Sequence, residues 1–230
     1  HFFKGSYEYL SYVRAPTSLP VLCKDFIIST IQIDNAFNAG ADAVLLMLSV
    51  LSQRKFRQLY DYASSLGLQV LTEVDNLKQA KFAADQRLNL VGINNRDLKT
   101  LRIDLNNARE LSTLFNAKTV VVSESGINSH ADLNYLSAIN AFLIGSSLTG
   151  SEDVEFKASS MLYGLNKVCG IKSESALEAC VRNHVSIAGL IFVPSSPRCI
   201  DETAASELVQ KFKGKIRFAG VFVNEDPGKI

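Results

Sequence analysis

Charged and amide residues follow several short apolar runs of the chain, at the point where each run ends. Lys24 follows VLC, Glu73 follows VLT, Asn94 follows VGI and Glu124 follows VVS. These side chains supply a cation, two possible bases and an amide. Grouped in one cavity, such a set suits proton transfer on a phosphorylated or carboxylated small molecule. Taken singly, each is equally well explained as an ordinary loop residue at the end of a strand.

Two turns that contain glycine add a candidate phosphate site. Gly145 and Ser146 lie in FLIGSSL, and Gly126 lies in SESGIN. Glycine lets the backbone approach an anion closely, and a serine hydroxyl adds a hydrogen-bond donor. Barrel enzymes often bind phosphate after their seventh and eighth strands. We therefore expect these residues to bind phosphate, with two ordinary turns between strand and helix as the alternative.

The apolar runs that precede these residues are typical of strands buried on both faces, because they are rich in Val, Ile and Leu. They span residues 21–23, 43–48, 68–72, 90–93, 119–123 and 141–144. Amphipathic segments with helical spacing lie between them. Asp75 or Asn76 is predicted to cap one helix, and Asp104 the next. Strand, helix and strand recurring in this way predict βαβ units on a parallel sheet.

A closed eight-unit barrel and an open doubly wound sheet both fit this rhythm. In a barrel the carboxyl ends of all strands meet at one mouth, whereas an open sheet binds ligands only near its switch point. Each of the six runs is followed by a polar or small residue. The pattern therefore favours an α/β fold of the TIM-barrel type, in which Lys24 belongs to a ring of residues at the mouth.

The composition excludes several classes of function. The 230 residues carry a net charge of +1, which gives no electrostatic case for nucleic acid or an anionic membrane. The apolar runs are far shorter than the ~20 residues of a membrane helix. The cysteines match no zinc or redox spacing and are interpreted as reduced thiols of a cytoplasmic protein, namely Cys23, Cys169, Cys180 and Cys199. The histidines fit no metal site, and there is no P-loop or dinucleotide fingerprint.

The motifs LCKDFI, LLMLSVL, LTEV, GINNRDL, IDLN, VSESGI and FLIGSSL occur in this order along the chain. Together with FFKGSYEYL at the start, they resemble the indole-3-glycerol-phosphate synthase family of tryptophan biosynthesis over residues 1–163. The resemblance implies a (β/α)8 barrel that needs no metal or organic cofactor. It also implies a reaction: ring closure of 1-(2-carboxyphenylamino)-1-deoxyribulose 5-phosphate to indole-3-glycerol phosphate, with loss of carbon dioxide and water.

The same resemblance implies roles for single residues. Lys24 would be a general acid near the carbonyl and hydroxyl groups of the substrate, and Glu73 its acid/base partner in the dehydration. The residues expected to line the substrate are Asn94, Arg96, Glu124 and Ser125. The residues expected to hold its phosphate are Gly126, Gly145 and Ser146. Arg96 gains its role only from the resemblance, through the motif NNRD.

Residues 164–230 resemble a different family. GLNKVCGI, IAGLIFVPSSPRCI and IRFAGVFVNE are similar to the first three strands of phosphoribosylanthranilate isomerase. This resemblance implies that Cys169 is a general acid/base and that Arg198 contacts the substrate. The motif E-x-K-x-x-S-P-S, which the first strand of the synthase family carries, does not occur in this sequence.

The two resemblances together imply an internal fragment of a fused enzyme. Residues 1–163 would be a barrel truncated at its N-terminus, with strands 3–8, and residues 164–230 would be strands 1–3 of a second barrel. Two alternatives stay open: another phosphosugar-binding barrel enzyme, or a chain that is catalytically dead as given. We expect a phosphosugar–anthranilate substrate, no nucleic-acid or membrane partner, a cytoplasmic location and a monomeric parent.

Overall fold

The computed structural model describes residues 5–98, 100–226 and 228. The chain divides into two compact units. The first unit contains the residues up to Ile127 together with Leu136–Gly145, and the second contains Asn128–Tyr135 and the residues from Ser146 onward. The first letters of FFKGSYEYL, at positions 2–4, lie outside the described residues. The domain boundary between residues 163 and 164 stays a prediction.

A parallel sheet forms the centre of the first unit. Among the described residues it has six strands: β1 (Leu22–Cys23), β2 (Ala43–Met47), β3 (Gln69–Val74), β4 (Leu90–Asn94), β5 (Val120–Glu124) and β6 (Ala141–Leu143). Each predicted apolar run coincides with one strand to within one or two residues at either end. The strands lie side by side in chain order without a reversal. That order is typical of a barrel, since a doubly wound sheet reverses at its switch point.

The helices of the first unit are α1 (Tyr7–Arg14), α2 (Thr30–Asn38), α3 (Gln53–Ser65), α4 (Leu77–Asp85) and α5 (Asn106–Ser112). Asn76, rather than Asp75, is the N-cap of α4, because its side chain accepts a hydrogen bond from Gln79 N at 3.1 Å. The predicted cap of α5 was wrong by one residue. Leu105 occupies the cap position of α5, and the Asp104 carboxylate instead accepts from Asn106 N at 2.9 Å.

Side chains of the sheet alternate between two buried layers, because successive strand residues point to opposite faces. One layer is a cluster of buried apolar residues, Leu45, Met47, Leu71 and Val122. The other layer packs against helices. There Phe56 of α3, only 1% exposed, meets the ring of Phe82 of α4 with centroids 5.9 Å apart. Burying one such aromatic side chain stabilises the fold by roughly 1.5–3 kcal/mol.

The alternation also places the polar residues at strand ends. Glu73 lies two residues after Leu71, and Glu124 lies two residues after Val122. Residues two apart on a strand share a face. Both glutamates therefore lie on the face of the apolar cluster, at the carboxyl end of the sheet.

The second unit contains a parallel sheet of three strands in the order β7, β8, β9. Its elements are α6 (His130–Tyr135), α7 (Ser146–Thr149), α8 (Val154–Tyr163), β7 (Lys167–Cys169), α9 (Glu174–Arg182), β8 (Ile187–Ile191), α10 (Glu202–Phe212) and β9 (Arg217–Val221). Leu177 of α9 and Ala188 of β8, both fully buried, lie at the centre of its core. The three segments that the isomerase resemblance identified as strands contain β7, β8 and β9.

Membrane-spanning helices and metal-binding clusters are absent from the described residues. None of their helices is both long and apolar enough to cross a membrane. Within the same residues, no three His, Cys, Asp or Glu side chains are grouped so that they could hold a metal ion. The four cysteines are free thiols, of which Cys23 and Cys180 are buried.

Candidate active site

Three charged side chains meet at the carboxyl end of the first sheet. Lys24 Nζ lies 4.0 Å from Glu73 Oε2 and 3.9 Å from Glu124 Oε2. The Lys24 side chain is 46% exposed, whereas those of Glu73 and Glu124 are 1% and 2% exposed. One solvent-accessible cation therefore faces two buried carboxyl groups.

Asn94 joins this group through the pairing of the strands. Asn94 of β4 lies opposite Glu124 of β5, and its Nδ2 donates a hydrogen bond to Glu73 Oε1 at 3.1 Å. Its Oδ1 accepts from Arg96 N at 2.9 Å, which fixes the orientation of the amide. The structure thus brings together the four residues that the sequence analysis selected at strand ends. Their catalytic roles stay predictions.

Glu124 titrates far above the range of an ordinary glutamate. Burial removes the water that would stabilise its charged form, and the neighbouring charge of Glu73 adds to this effect. The Lys24 ammonium group opposes both causes without cancelling them, and the pKa of Glu124 is raised to about 8. Glu124 therefore holds a proton at neutral pH beside Glu73. A protonated carboxyl group beside a second carboxyl group can take part in acid–base chemistry.

Asn95 is a site residue that the sequence analysis missed. It is 2% exposed, and its Nδ2 donates to Ser123 Oγ at 2.9 Å and to Ser125 O at 3.0 Å. Its Oδ1 accepts from Ala108 N of α5 at 3.0 Å. These bonds tie the ends of β4 and β5 to the start of α5. The only signal in the sequence was the pair of adjacent asparagines in GINNRDL. Of these two, Asn94 alone faces the charged group.

Ser125 and Gly126 form a backbone turn of unusual conformation directly after β5. Their φ angles are +66° and +83°, both in the left-handed region. A residue other than glycine rarely adopts this conformation, and such residues cluster at functional sites. A Cβ atom at Gly126 would overlap the side chain of Ile103. The turn expected to contact substrate is therefore conformationally specialised, and its contacts with substrate and phosphate stay predictions.

Arg96 lies in a loop whose backbone pairing the sequence does not predict. It forms an antiparallel bridge with Ile103, and its Nη1 donates to Leu101 O at 3.4 Å. The side chain is half-buried. The structure thus places Arg96 in the loop after β4, two residues beyond Asn94, and its contact with substrate stays a prediction.

The last part of the predicted phosphate site lies after β6. Gly145 is exposed, and a Cβ atom at this position would meet no other atom within 4 Å. Ser146 is the first residue of α7 and belongs to the second unit. Binding of phosphate by Gly126, Gly145 and Ser146 stays a prediction.

In the second unit, Cys169 and Arg198 lie together. Cys169 ends β7 and is half-buried, and Arg198 Nη1 donates to its carbonyl oxygen at 3.4 Å. The Arg198 side chain passes over Gly170, where an added Cβ atom would lie 2.6 Å from Arg198 Cδ. The roles that the isomerase resemblance implies for this pair stay predictions.

These features define a class of protein. A parallel β/α sheet in chain order carries a lysine and two buried carboxyl groups at the carboxyl ends of its strands. In TIM-barrel enzymes this end of the strands carries the catalytic groups. The first unit is therefore a TIM-barrel-like β/α unit with a cluster of charged side chains at the carboxyl ends of its strands.

The family follows from comparison with known sequences. The sequence model described as "Indole-3-glycerol phosphate synthase" matches residues 1–161. The chain therefore belongs to the indole-3-glycerol phosphate synthase family.

Curated relatives match the chain along its whole length. It is 42% identical over 230 residues to "Tryptophan biosynthesis protein TrpCF" of Helicobacter pylori, covering 100% of this chain and 51% of that protein. It is 43% identical over 227 residues to the protein of the same name from Salmonella typhi, covering 98% and 50%. The chain thus spans about half the length of the curated relatives that it matches.

Among solved structures, the chain is similar to two crystal structures of KGPDC from Streptococcus mutans. The first gives a TM-score of 0.58 at 12% sequence identity, covering 70% of this chain and 79% of that one. The second gives a TM-score of 0.55 at 13% identity, with the same coverage. At such low identity the likeness concerns the fold alone, and it supports a TIM-barrel-like arrangement.

Proposed function

We propose that the protein to which this chain belongs closes the ring of 1-(2-carboxyphenylamino)-1-deoxyribulose 5-phosphate to give indole-3-glycerol phosphate, carbon dioxide and water. The observation that carries the proposal is the meeting of Lys24 with Glu73 and Glu124 at the strand ends. Membership of the synthase family supports the identity of the substrate.

The proposed reaction needs three changes at the substrate. The aromatic carbon that bears the carboxylate bonds to the ketone carbon, and a proton reaches the ketone oxygen. Loss of carbon dioxide then returns its bonding electrons to the aromatic ring. Departure of the new hydroxyl group as water, with loss of a proton from the ring system, completes the indole. Two of these changes need a proton donor, and the last also needs a base.

The charged group can supply each proton. Lys24 is the exposed cation and the general acid that protonates the ketone oxygen. Glu124 holds a proton at neutral pH and can donate it to the departing hydroxyl group, and Glu73 is its acid/base partner in the dehydration. Asn94 donates to Glu73 and keeps that carboxyl group oriented. Arg96 and Ser125 line the substrate, and Gly126, Gly145 and Ser146 hold its phosphate.

The second unit belongs, in this proposal, to a phosphoribosylanthranilate isomerase that supplies the precursor of the synthase reaction. Cys169 acts as its general acid/base, and Arg198 contacts its substrate. Two observations support this part of the proposal. Arg198 donates a hydrogen bond to the carbonyl oxygen of Cys169, and the chain is similar to the TrpCF relatives. The chain then represents strands 3–8 of the first barrel and strands 1–3 of the second, within a larger monomeric, cytoplasmic protein that needs no cofactor.

The edges of the first sheet support a second candidate, namely that the chain is catalytically inactive as given. β1 and β6 lie at the two edges of the first sheet within the described residues, and β1 contains only two residues. Such edges favour association with further strands. We infer that the 230 residues alone lack both activities and act only within the larger protein.

Incubation of the full-length protein with the carboxyphenylamino substrate tests the proposed activity. We expect carbon dioxide and an indole chromophore to appear in equal amounts, and no turnover of a ribulose phosphate that lacks the anthranilate group. Turnover of the unsubstituted ribulose phosphate without ring closure would favour a different phosphosugar enzyme and overturn the proposal.

A further inference from the structure

Gly92 occupies the interior of β4, where glycine weakens a strand because it has no side chain to pack. Its backbone does not require glycine, since its φ angle lies outside the positive region that excludes other residues. Alanine at this position would therefore meet no conformational penalty. The reason for glycine must lie in the space beside it.

A carboxyl group fills that space. A Cβ atom at Gly92 would overlap Glu124 Oε1, and it would lie 3.0 Å from Glu124 Cδ and 3.3 Å from Leu71 Cδ1. Gly92 pairs with Val122, two residues before Glu124 on the neighbouring strand, and pairs with Glu73 on the other side. The Glu124 side chain thus leans back across the β4 backbone at the position that a side chain of residue 92 would occupy.

We propose that Gly92 is a positioning residue for Glu124, because the missing side chain lets the Glu124 carboxyl group lie against β4 within reach of both Glu73 and Lys24. Within this proposal, only the expected effect of Gly92 on turnover rests on the proposed function. The position of the carboxyl group and its protonation are properties of the folded chain and can be measured without substrate.

The surroundings of Glu124 predict how displacement of its carboxyl group would change its pKa. The charged groups that face it are Glu73 from β3 and Lys24 after β1. Its partner on β6 is the uncharged Leu143, and its partner on β4 is Asn94. A methyl group at residue 92 pushes the carboxyl group away from the buried position beside Glu73. Both causes of the raised pKa, burial and the Glu73 charge, would then weaken.

Gly92→Ala should leave the fold intact, because the atom that must move is the end of a flexible side chain rather than backbone. The first measurement is the titration of Glu124 in full-length protein labelled with [13C]glutamate, with its signal assigned by Glu124→Gln. We expect Gly92→Ala to lower the pKa of Glu124, and to lower kcat by about 10²-fold, the loss typical of a misplaced group. An unchanged titration of Glu124 would overturn the proposal.

A double-mutant cycle on stability provides a second readout. Gly92→Ala should lower the urea midpoint of the wild-type protein, but not that of a Glu124→Ala background, where the added methyl group enters emptied space. The same lowering in both backgrounds would overturn the proposal, since glycine would then be needed for another reason. If the full-length protein shows no ring closure at all, the proposed function fails, while the titration and the cycle still decide the role of Gly92.

Discussion

Among the carboxyl groups of the site, Glu124 is the one whose pKa the fold shifts most clearly. An exposed carboxylate at the end of a strand would serve only as a charge. Burial beside Glu73 instead makes Glu124 a proton carrier at neutral pH, and Lys24 keeps the pair from being an isolated buried charge. The chemistry proposed for the site depends on this raised pKa of Glu124.

The raised pKa of Glu124 predicts a pH-dependent stability. Between the ordinary value of 4.5 and the folded value of about 8, the unfolded chain binds fewer protons than the folded chain, so Glu124 lowers stability progressively as the pH rises. Glu124→Gln removes this effect. We expect the urea midpoint of the variant, relative to wild type, to be higher at pH 8 than at pH 4.5.

Glu110→Gln, on the exposed side of α5, is the matched control for this comparison. Its midpoint should follow that of the wild type across the same pH range. A difference between Glu124→Gln and wild type that stays constant between pH 4.5 and 8 would show that Glu124 ionises normally in the folded protein.

At the scale of elements, the loops after β4 and β5 owe their positions to Asn95. Asn95→Ala removes three hydrogen bonds and leaves the buried Ala108 N and Ser123 Oγ without this partner. An unsatisfied buried group costs roughly 1–3 kcal/mol, so we expect a loss of about 2 kcal/mol in the free energy of unfolding. Urea unfolding of the full-length protein measures the loss, with the exposed Asn38→Ala as control.

The same variant should also weaken catalysis, since Asn95 supports the turn at Ser125. A free energy of unfolding equal to that of the Asn38→Ala control would contradict this account of the loops.

The strands were predictable from the sequence because a buried parallel strand needs a continuous apolar run, and each run ends where polar residues begin. Lys24, Glu73, Asn94 and Glu124 were found by that rule. Gly92 and Asn95 were not, because their roles depend on which residue of a neighbouring strand lies beside them. The register between strands is fixed by the packed sheet and leaves little trace in a single sequence.

Loop geometry was also beyond the sequence. The bridge between Arg96 and Ile103 joins residues inside a segment for which the sequence predicts no helix or strand. Asp104 N donates to Asn95 O at 2.9 Å within the same loop, and α5 begins two residues further on, at Asn106. Helix patterning alone identified α5 but could not anticipate this loop hydrogen bond or the residue at which the helix begins.

At the scale of the whole molecule, we expect the 230-residue chain expressed alone to be unstable, or stable only by association, and to lack both activities. The outer edges of β1 and β6 would require covering by further strands, and apolar side chains such as Ile31, 68% exposed, remain in contact with water. A domain is stabilised by only ~5–15 kcal/mol, so such losses matter. Sedimentation and a thermal scan of the purified chain provide the test. A monomeric, cooperative transition together with synthase turnover would contradict this expectation.

The central claim is that the group around Lys24 carries out ring closure, and Lys24→Ala in the full-length protein tests it most directly. Both activities are measured on one preparation, with Lys81→Ala on the exposed side of α4 as the matched control. A positioned general acid contributes ~10²–10⁴-fold, so we predict a loss of ring closure of that size, with the isomerase activity unchanged. Ring closure at the wild-type rate, or an equal loss of both activities, would contradict the account.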